Sequence, residues 1–275
     1  MAGSGGVRMG AVWDRTVEVL RGRAGILGPI AATAIFLPAI VNNALTAFAT
    51  PGSPTVAVLT MVVALAVLVA NVWGQLAMLA VATHPATTRA DAGRQATQRL
   101  LPAVGVLLLL GVIFALAMLP VAFALLKAGV NLTNRAAMQT MPAGVGGFVG
   151  LYSLVLLVVI LIVAARLILL NPVVLNERRG VGALMRSVQL TRGMTFRVIG
   201  LMILFGVVVL IPTLAIQSIV GLMLRLILGA NGVPVAAFVA AAAGAAVTTA
   251  FTVVAAAFTA QLYVAATGEE EAGAG

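Results

Sequence analysis

From Ala24 to Thr88 the chain carries no charged side chain, and the turn sequence Thr50-Pro51-Gly52-Ser53 divides that run into two apolar stretches. Four more uncharged apolar stretches follow. Hydrocarbon offers no partner to a backbone N–H or C=O, so a segment that crosses it must be a helix or part of a closed barrel. Barrel strands alternate apolar and polar residues over about ten positions. These runs are continuously apolar and reach the ~20 residues that a helix needs to cross ~30 Å of hydrocarbon. The expected fold is therefore all-α: a polytopic membrane protein with spans at residues 25–49, 54–82, 101–126, 148–170, 198–228 and 234–266. Residues 1–10 read as a disordered tail, 11–267 as a single six-span membrane domain and 268–275 as an acidic tail. Pro120 and Pro212 fall inside spans as kink positions, and Asn171-Pro172 reads as the stop of span four. Residues 128–147, mixed and Gly-rich, read as the one sizeable external loop.

Composition agrees with a lipid environment. Hydrophobic residues make up 62% of the chain and charged ones 8%, against about a quarter charged in soluble domains. The segment after Gly10 alternates charge with hydrophobe, so no cleavable signal is expected and the first span should remain in the mature protein.

The sixteen basic residues set the orientation. Thirteen of them, from Arg8 to Arg23, Arg89 to Arg99 and Arg166 to Arg197, fall on one side of a six-span arrangement, and only Lys127, Arg135 and Arg225 fall on the other. The positive-inside rule then places both termini in the cytoplasm, in a bacterial inner membrane. The net charge of +9 does not point to nucleic acid, because no aromatic side chains interleave with the basic clusters as a stacking platform requires.

An internal echo links two of those clusters. Arg15-Thr-Val-Glu-Val-Leu-Arg21-Gly22 matches Arg186-Ser-Val-Gln-Leu-Thr-Arg192-Gly193, and Thr87 to Leu101 occupies the equivalent place before span three. Val181, Leu184, Met185 and Val188 share a helix face, as do Trp13, Val17 and Leu20, so each copy reads as an amphipathic helix lying on the membrane surface. Gly22 and Gly193 read as turns into the spans, and Thr88 and Asp91 have capping-box spacing. Three hairpins, each preceded by such a surface helix, are expected. Arg15, Arg21, Arg179, Arg186, Arg192 and Arg197 become candidates for contact with anionic lipid.

The stretch Gly182-Ala-Leu-Met-Arg-Ser-Val-Gln-Leu-Thr-Arg-Gly193, preceded by a span that ends near Pro172, resembles the bacterial glycerophosphoryl diester phosphodiesterase membrane-domain family. That resemblance implies a six-span membrane domain of largely unassigned function, which in some proteins is fused to a catalytic barrel. No barrel sequence occurs here.

Chemistry is not expected. A phosphodiesterase needs metal ligands or an acid and base pair, and the chain has one His, seven acidic residues and no Cys. His84 stands alone at the end of span two, Asp14 and Glu18 are expected to pair with nearby Arg residues, and no nucleophile elbow or phosphate loop appears. No cofactor or metal is implied, and the chain reads as a non-enzyme. Intramembrane polar residues remain: Asn42, Asn71, Gln75, Arg166 and Gln217. Ala236, Ala240, Gly244 and Thr248 make a smooth stripe for close packing, within the chain or in an oligomer. Two functions stay open. One is a lipid-interacting, membrane-organising or accessory protein whose partners are anionic lipids, with a homo-oligomer or a membrane-protein partner compatible. The other is a transporter or lipid-moving protein, which a hydrated cavity converging on Asn42, Asn71 and Gln217 would favour and a dry bundle would oppose.

Overall fold

In a computed structural model of the chain, residues 8–49, 53–84, 86–129, 142–177, 182–229 and 232–273 are described. Among them every regular element is a helix. These are α1 (Met9–Ala31), a π-helical turn (Ala32–Phe36), α2 (Leu37–Phe48), α3 (Pro54–Thr83), α4 (Arg89–Lys127), α5 (Ala143–Arg166), α6 (Leu170–Asn176), α7 (Gly182–Leu190), α8 (Thr195–Leu228) and α9 (Val233–Gly273). Six of the helical stretches are long and apolar enough to cross a membrane. The chain is a multi-pass membrane protein.

The first crossing is one rod from Met9 to Phe48, roughly 60 Å long at ~1.5 Å per residue. It exceeds the hydrocarbon thickness, so its Arg-bearing first turns project beyond it. The π turn has a local cause. Pro38 has no N–H to donate to the Ala34 carbonyl, and the ladder loosens there, with the Leu37 N–H reaching back five residues to Ala32. Pro172 acts the same way on the fourth crossing. Its ring cannot sit against the Ile168 carbonyl in a continuous helix, and the break falls at residues 167–169. The stop therefore comes at Arg166, earlier than Asn171-Pro172, and those two residues lie in the first turn of α6.

Two of the three expected surface helices are not separate elements. Gly22 lies inside α1, which runs unbroken into the first crossing, and Thr88 caps a helix that continues from Arg89 to Lys127. Long helices that start in the basic segments replace the helix–turn–span arrangement, because neither Gly22 nor the sequence after Arg99 departs from helical backbone. Only α7 stands apart. Gly193, at φ +91°, turns the chain from α7 into α8, a left-handed conformation open to glycine at no steric cost. Met9 and Gly10 are helical, and α9 continues to Gly273, beyond the expected tail boundaries. Of the external loop, residues 130–141 lie outside the described residues.

α3 and α9 form the centre. α9 packs on α8, α1, α2, α3 and α6, and α3 packs on α4, α1, α2, α6 and α9. The buried core lies towards one end. It is built from Leu27 to Ile35 of the first rod, Leu76 to Ala82 at the end of α3, Ala92 and Ala96 of α4, Val173 to Leu175 of α6, and Ala256 to Ala266 of α9. Hydrogen bonds tie the same end together: Arg23 Nη1 donates to the Thr87 carbonyl at 2.9 Å, and Gln261 Nε2 to the Ala82 carbonyl at 2.7 Å. This is the basic end. Towards the opposite end α4, α5 and α8 expose Leu, Ile, Val and Phe side chains along most of their length, a surface that lipid tails can solvate.

Candidate functional site

Two features of the basic end and one intramembrane cleft are the places where this chain could act. The first feature is a groove of about 390 Å³ between the start of α1 and the last turns of α9, lined by Arg8, Ala11, Val12, Arg15, Val264, Ala265 and Gly268. Arg8 precedes the first residue of α1 in extended backbone and Arg15 lies two turns into the helix, and both line the groove. Both are exposed, as are Arg21, Arg192 and Arg197. Neither Asp14 nor Glu18 forms an ion pair among the described residues, contrary to expectation. The capping box at Thr88 is present: its hydroxyl accepts from the Asp91 N–H at 3.2 Å.

The second feature is α7 and its attachment. Ala183, Ser187, Leu190 and Thr191 are buried, whereas Met185 is 66% exposed and Leu184 and Val188 are half-buried. The inward face is thus the small and hydroxylic one, and the apolar stripe turns outward; Val181 lies outside the described residues. Ser187 Oγ donates to the Arg166 carbonyl at 2.9 Å, and Thr191 Oγ1, whose shorter bond at 2.8 Å goes back to the Ser187 carbonyl, lies 3.1 Å from the same Arg166 oxygen. That carbonyl is one of those left without an intrahelical donor where α5 ends. Arg186 is engaged inside the protein. Its Nε donates to both Glu177 carboxylate oxygens at 3.2 Å, with the two side chains 20% and 18% exposed, and the Tyr263 hydroxyl reaches the same carboxylate at 3.4 Å. The internal carboxylate competes with lipid phosphate for this guanidinium, so Arg186 holds α7 to α6 and α9. Arg179 lies outside the described residues.

The intramembrane amides do not converge. Asn71 Nδ2 donates to its own helix at the Val67 carbonyl, 2.9 Å away. Asn42 is half-buried on α2, where its carbonyl accepts the Thr46 hydroxyl. Gln217 lies against Gly244 at the α8–α9 contact. There it lines a separate groove with Ser218, Gly221 and Arg225, towards the opposite end. Most of the small-residue stripe packs inside the chain: Ala236, Ala240 and Gly244 are buried and Gly221 approaches Ala240, whereas Thr248 is exposed. The side chain of Arg166 is half-buried and makes no hydrogen bond or ion pair with another described residue.

Gln75 meets a second amide in a cavity shared by several helices. Its Oε1 accepts from Asn171 Nδ2 at 3.2 Å. The pair forms one wall of a cleft of about 360 Å³ between α3, α6, α8 and α9. Thr248, Thr252 and Thr259 of α9 line the cleft with Phe205, Val209 and Phe251. Sequence reasoning took Asn171 for a helix stop and passed over Thr252 and Thr259. A signal existed: at ~100° per residue, positions 248, 252 and 259 fall within about 40° of one another on a helix. Among the described residues no group of three His, Cys, Asp or Glu side chains could hold a metal ion.

A family profile described as "Domain of unknown function (DUF7847)" matches residues 14–267, nearly the whole chain. The chain belongs to this family. The matched region takes in nearly all of the six crossings, the α7 attachment and every residue of the amide cleft. No curated protein and no solved structure matches the chain.

Proposed function

We propose that this protein is a non-enzymatic membrane protein that holds anionic lipid at its basic end and serves a membrane-organising or accessory role. The groove flanked by Arg8 and Arg15 carries the reading. Two exposed Arg residues line it together with Val12, Val264 and Ala265, a mixed cationic and apolar lining that suits a phosphate headgroup beside an acyl chain. Exposed Arg21, Arg192 and Arg197 extend the basic surface around it. In this reading the basic end faces the cytoplasmic leaflet of a bacterial inner membrane. Residues 166–193 keep the role that their resemblance to the phosphodiesterase membrane-domain family implies, a membrane unit without the catalytic barrel.

The test is lipid retention. Protein purified in mild detergent from membranes of known composition is expected to be enriched in phosphatidylglycerol over phosphatidylethanolamine, and the Arg8→Gln/Arg15→Gln variant to lose most of that enrichment. Equal enrichment in both proteins would refute the reading. A second reading, movement of lipid between leaflets, is favoured by the cleft beside Gln75 and Asn171. A headgroup-labelled lipid in vesicles would then exchange leaflets faster with the protein than without it.

A further inference from the structure

We infer that the groove between α8 and α9, at the end opposite the basic one, binds the headgroup of an anionic glycerophospholipid from that leaflet. This site is separate from the groove at Arg8 and Arg15 and does not depend on it.

The depth of the groove follows from α8. Arg197 and Arg225 are the only ionisable residues of that helix. They stand 28 residues apart in the sequence, about 42 Å at ~1.5 Å per residue, and a bilayer with both headgroup layers is ~40–45 Å thick. A typical tilt of ~20° shortens the reach only to about 39 Å. With Arg197 among the phosphates at the basic end, Arg225 therefore reaches the phosphates of the other leaflet.

No carboxylate of this chain can meet Arg225 there. The seven acidic residues, Asp14, Glu18, Asp91, Glu177 and Glu269 to Glu271, all belong to segments of the basic end. The Arg225 side chain is exposed and makes no hydrogen bond or ion pair with another described residue. A guanidinium in a headgroup layer, with no protein carboxylate in reach, takes a phosphate, which its planar fork holds through two N–H donors.

Deeper in the membrane the same groove offers two further donors. Ser218, Gly221, Leu222 and Arg225 have the spacing of one helix face, and Gln217 lines the groove beside them. The Ser218 hydroxyl makes no hydrogen bond with a described residue, whereas Thr213, Thr248 and Thr252 donate to carbonyls of their own helices. The Gln217 amide rests against Gly244, where no side chain competes for the space, and Nε2 also has no partner among the described residues. In a glycerophospholipid the ester carbonyls lie below the phosphate, and a carbonyl oxygen only accepts. Phosphate at Arg225 and esters at Ser218 and Gln217 thus match the groove in kind and in order. Gly221, Ala237, Ala240 and Ala241 keep its floor low, and its volume of about 380 Å³ falls within the ~300–1,000 Å³ of small-molecule sites. An ammonium headgroup would lie beside Arg225 with no carboxylate to receive it, so phosphatidylglycerol fits and phosphatidylethanolamine does not.

The purified protein in mild detergent would be photolabelled with a phosphatidylglycerol carrying a diazirine on its headgroup glycerol, and the crosslinked segments mapped. Crosslinks are expected on residues 217–225 and 237–241. Unlabelled phosphatidylglycerol should compete for them, phosphatidylethanolamine about tenfold less well, and inorganic phosphate not at all. Arg225→Gln, at an exposed position where packing is not at stake, should lower labelling of these segments about tenfold and leave labelling near Arg8 and Arg15 intact. Gln217→Leu/Ser218→Ala should lower it several-fold. Arg8→Gln/Arg15→Gln should leave these crosslinks in place, and whatever phosphatidylglycerol enrichment that variant retains should disappear when Arg225→Gln is added. Unchanged labelling of 217–225 in Arg225→Gln, full labelling in Gln217→Leu/Ser218→Ala, equal competition by phosphatidylethanolamine, or displacement by inorganic phosphate would overturn the assignment.

Discussion

α3 approaches the π turn closely at Gly74, and the approach predicts what one methyl group should do there. A Cβ placed on Gly74 would lie 2.6 Å from Ala34 Cβ and 3.5 Å from Ile35 Cγ1. Carbon atoms rest at about 3.5–4.0 Å, and an alanine methyl has no rotamer through which to retreat, so the backbones must separate by about 1 Å. Overpacking of this kind costs about 1–3 kcal/mol. Separation would also loosen Leu76 and Met78, which are fully buried just beyond Gly74. Gly74→Ala should therefore lower unfolding stability by about 2 kcal/mol, even though alanine is the better helix former. Gly105→Ala in α4, where a Cβ meets nothing within 4 Å, is the control and should be neutral or stabilise by about 0.5–1 kcal/mol. The assay is equilibrium unfolding in mixed micelles, followed by the fluorescence of Trp73, which neighbours Gly74 and donates to Thr97 at 3.0 Å. Ala34→Gly in the Gly74→Ala background should recover at least half of the loss, a coupling that a double-mutant cycle measures. If Gly74→Ala is as stable as the parent, or if Ala34→Gly only destabilises it further, the close approach is not as described.

Three other outcomes follow from the hydrogen bonds of the basic end. Ser187→Ala leaves the Arg166 carbonyl without its 2.9 Å side-chain donor and should cost about 1–2 kcal/mol; faster amide exchange through α7, with α9 unchanged, is the measurement. Gln261→Leu removes the bond to the Ala82 carbonyl and should cost about 0.6–1.7 kcal/mol, read as a lower thermal midpoint in detergent. Glu177→Gln should destabilise the protein by more than Tyr263→Phe, because the first leaves a half-buried guanidinium without its carboxylate, whereas the second removes only a 3.4 Å contact. Thermal midpoints of the two variants, compared side by side, decide it.

The crossings were legible because hydrocarbon imposes a length and an apolar composition, and both are written residue by residue. The turn at Gly193 and the cap at Thr88 were legible for a similar reason: each depends on residues within one turn of the chain. Gly22 shows the limit. It matches Gly193 in the repeat, yet glycine only permits a turn, and nothing around Gly22 rewards one, so α1 continues. Arg186 shows another limit, since its partner is Glu177 and its neighbour Tyr263 is far away in sequence. The amide cleft was only half visible. Gln75 was recognised as a polar residue in lipid, but which amide met which was set by the break before Pro172, which swings Asn171 onto α6 beside α3. The Thr248, Thr252 and Thr259 face could have been read from its helical period alone.

The account rests on the basic end and the Lys127 end facing opposite sides of a membrane. The chain has no cysteine, so a single introduced thiol reports its side without background. Ala90→Cys and Lys127→Cys, both at exposed positions, would each be treated with a membrane-impermeant maleimide in sealed right-side-out vesicles. The expected result is immediate labelling of Lys127→Cys, and labelling of Ala90→Cys only after the vesicles are opened. Labelling of both from outside, or of Ala90→Cys alone, would contradict the account.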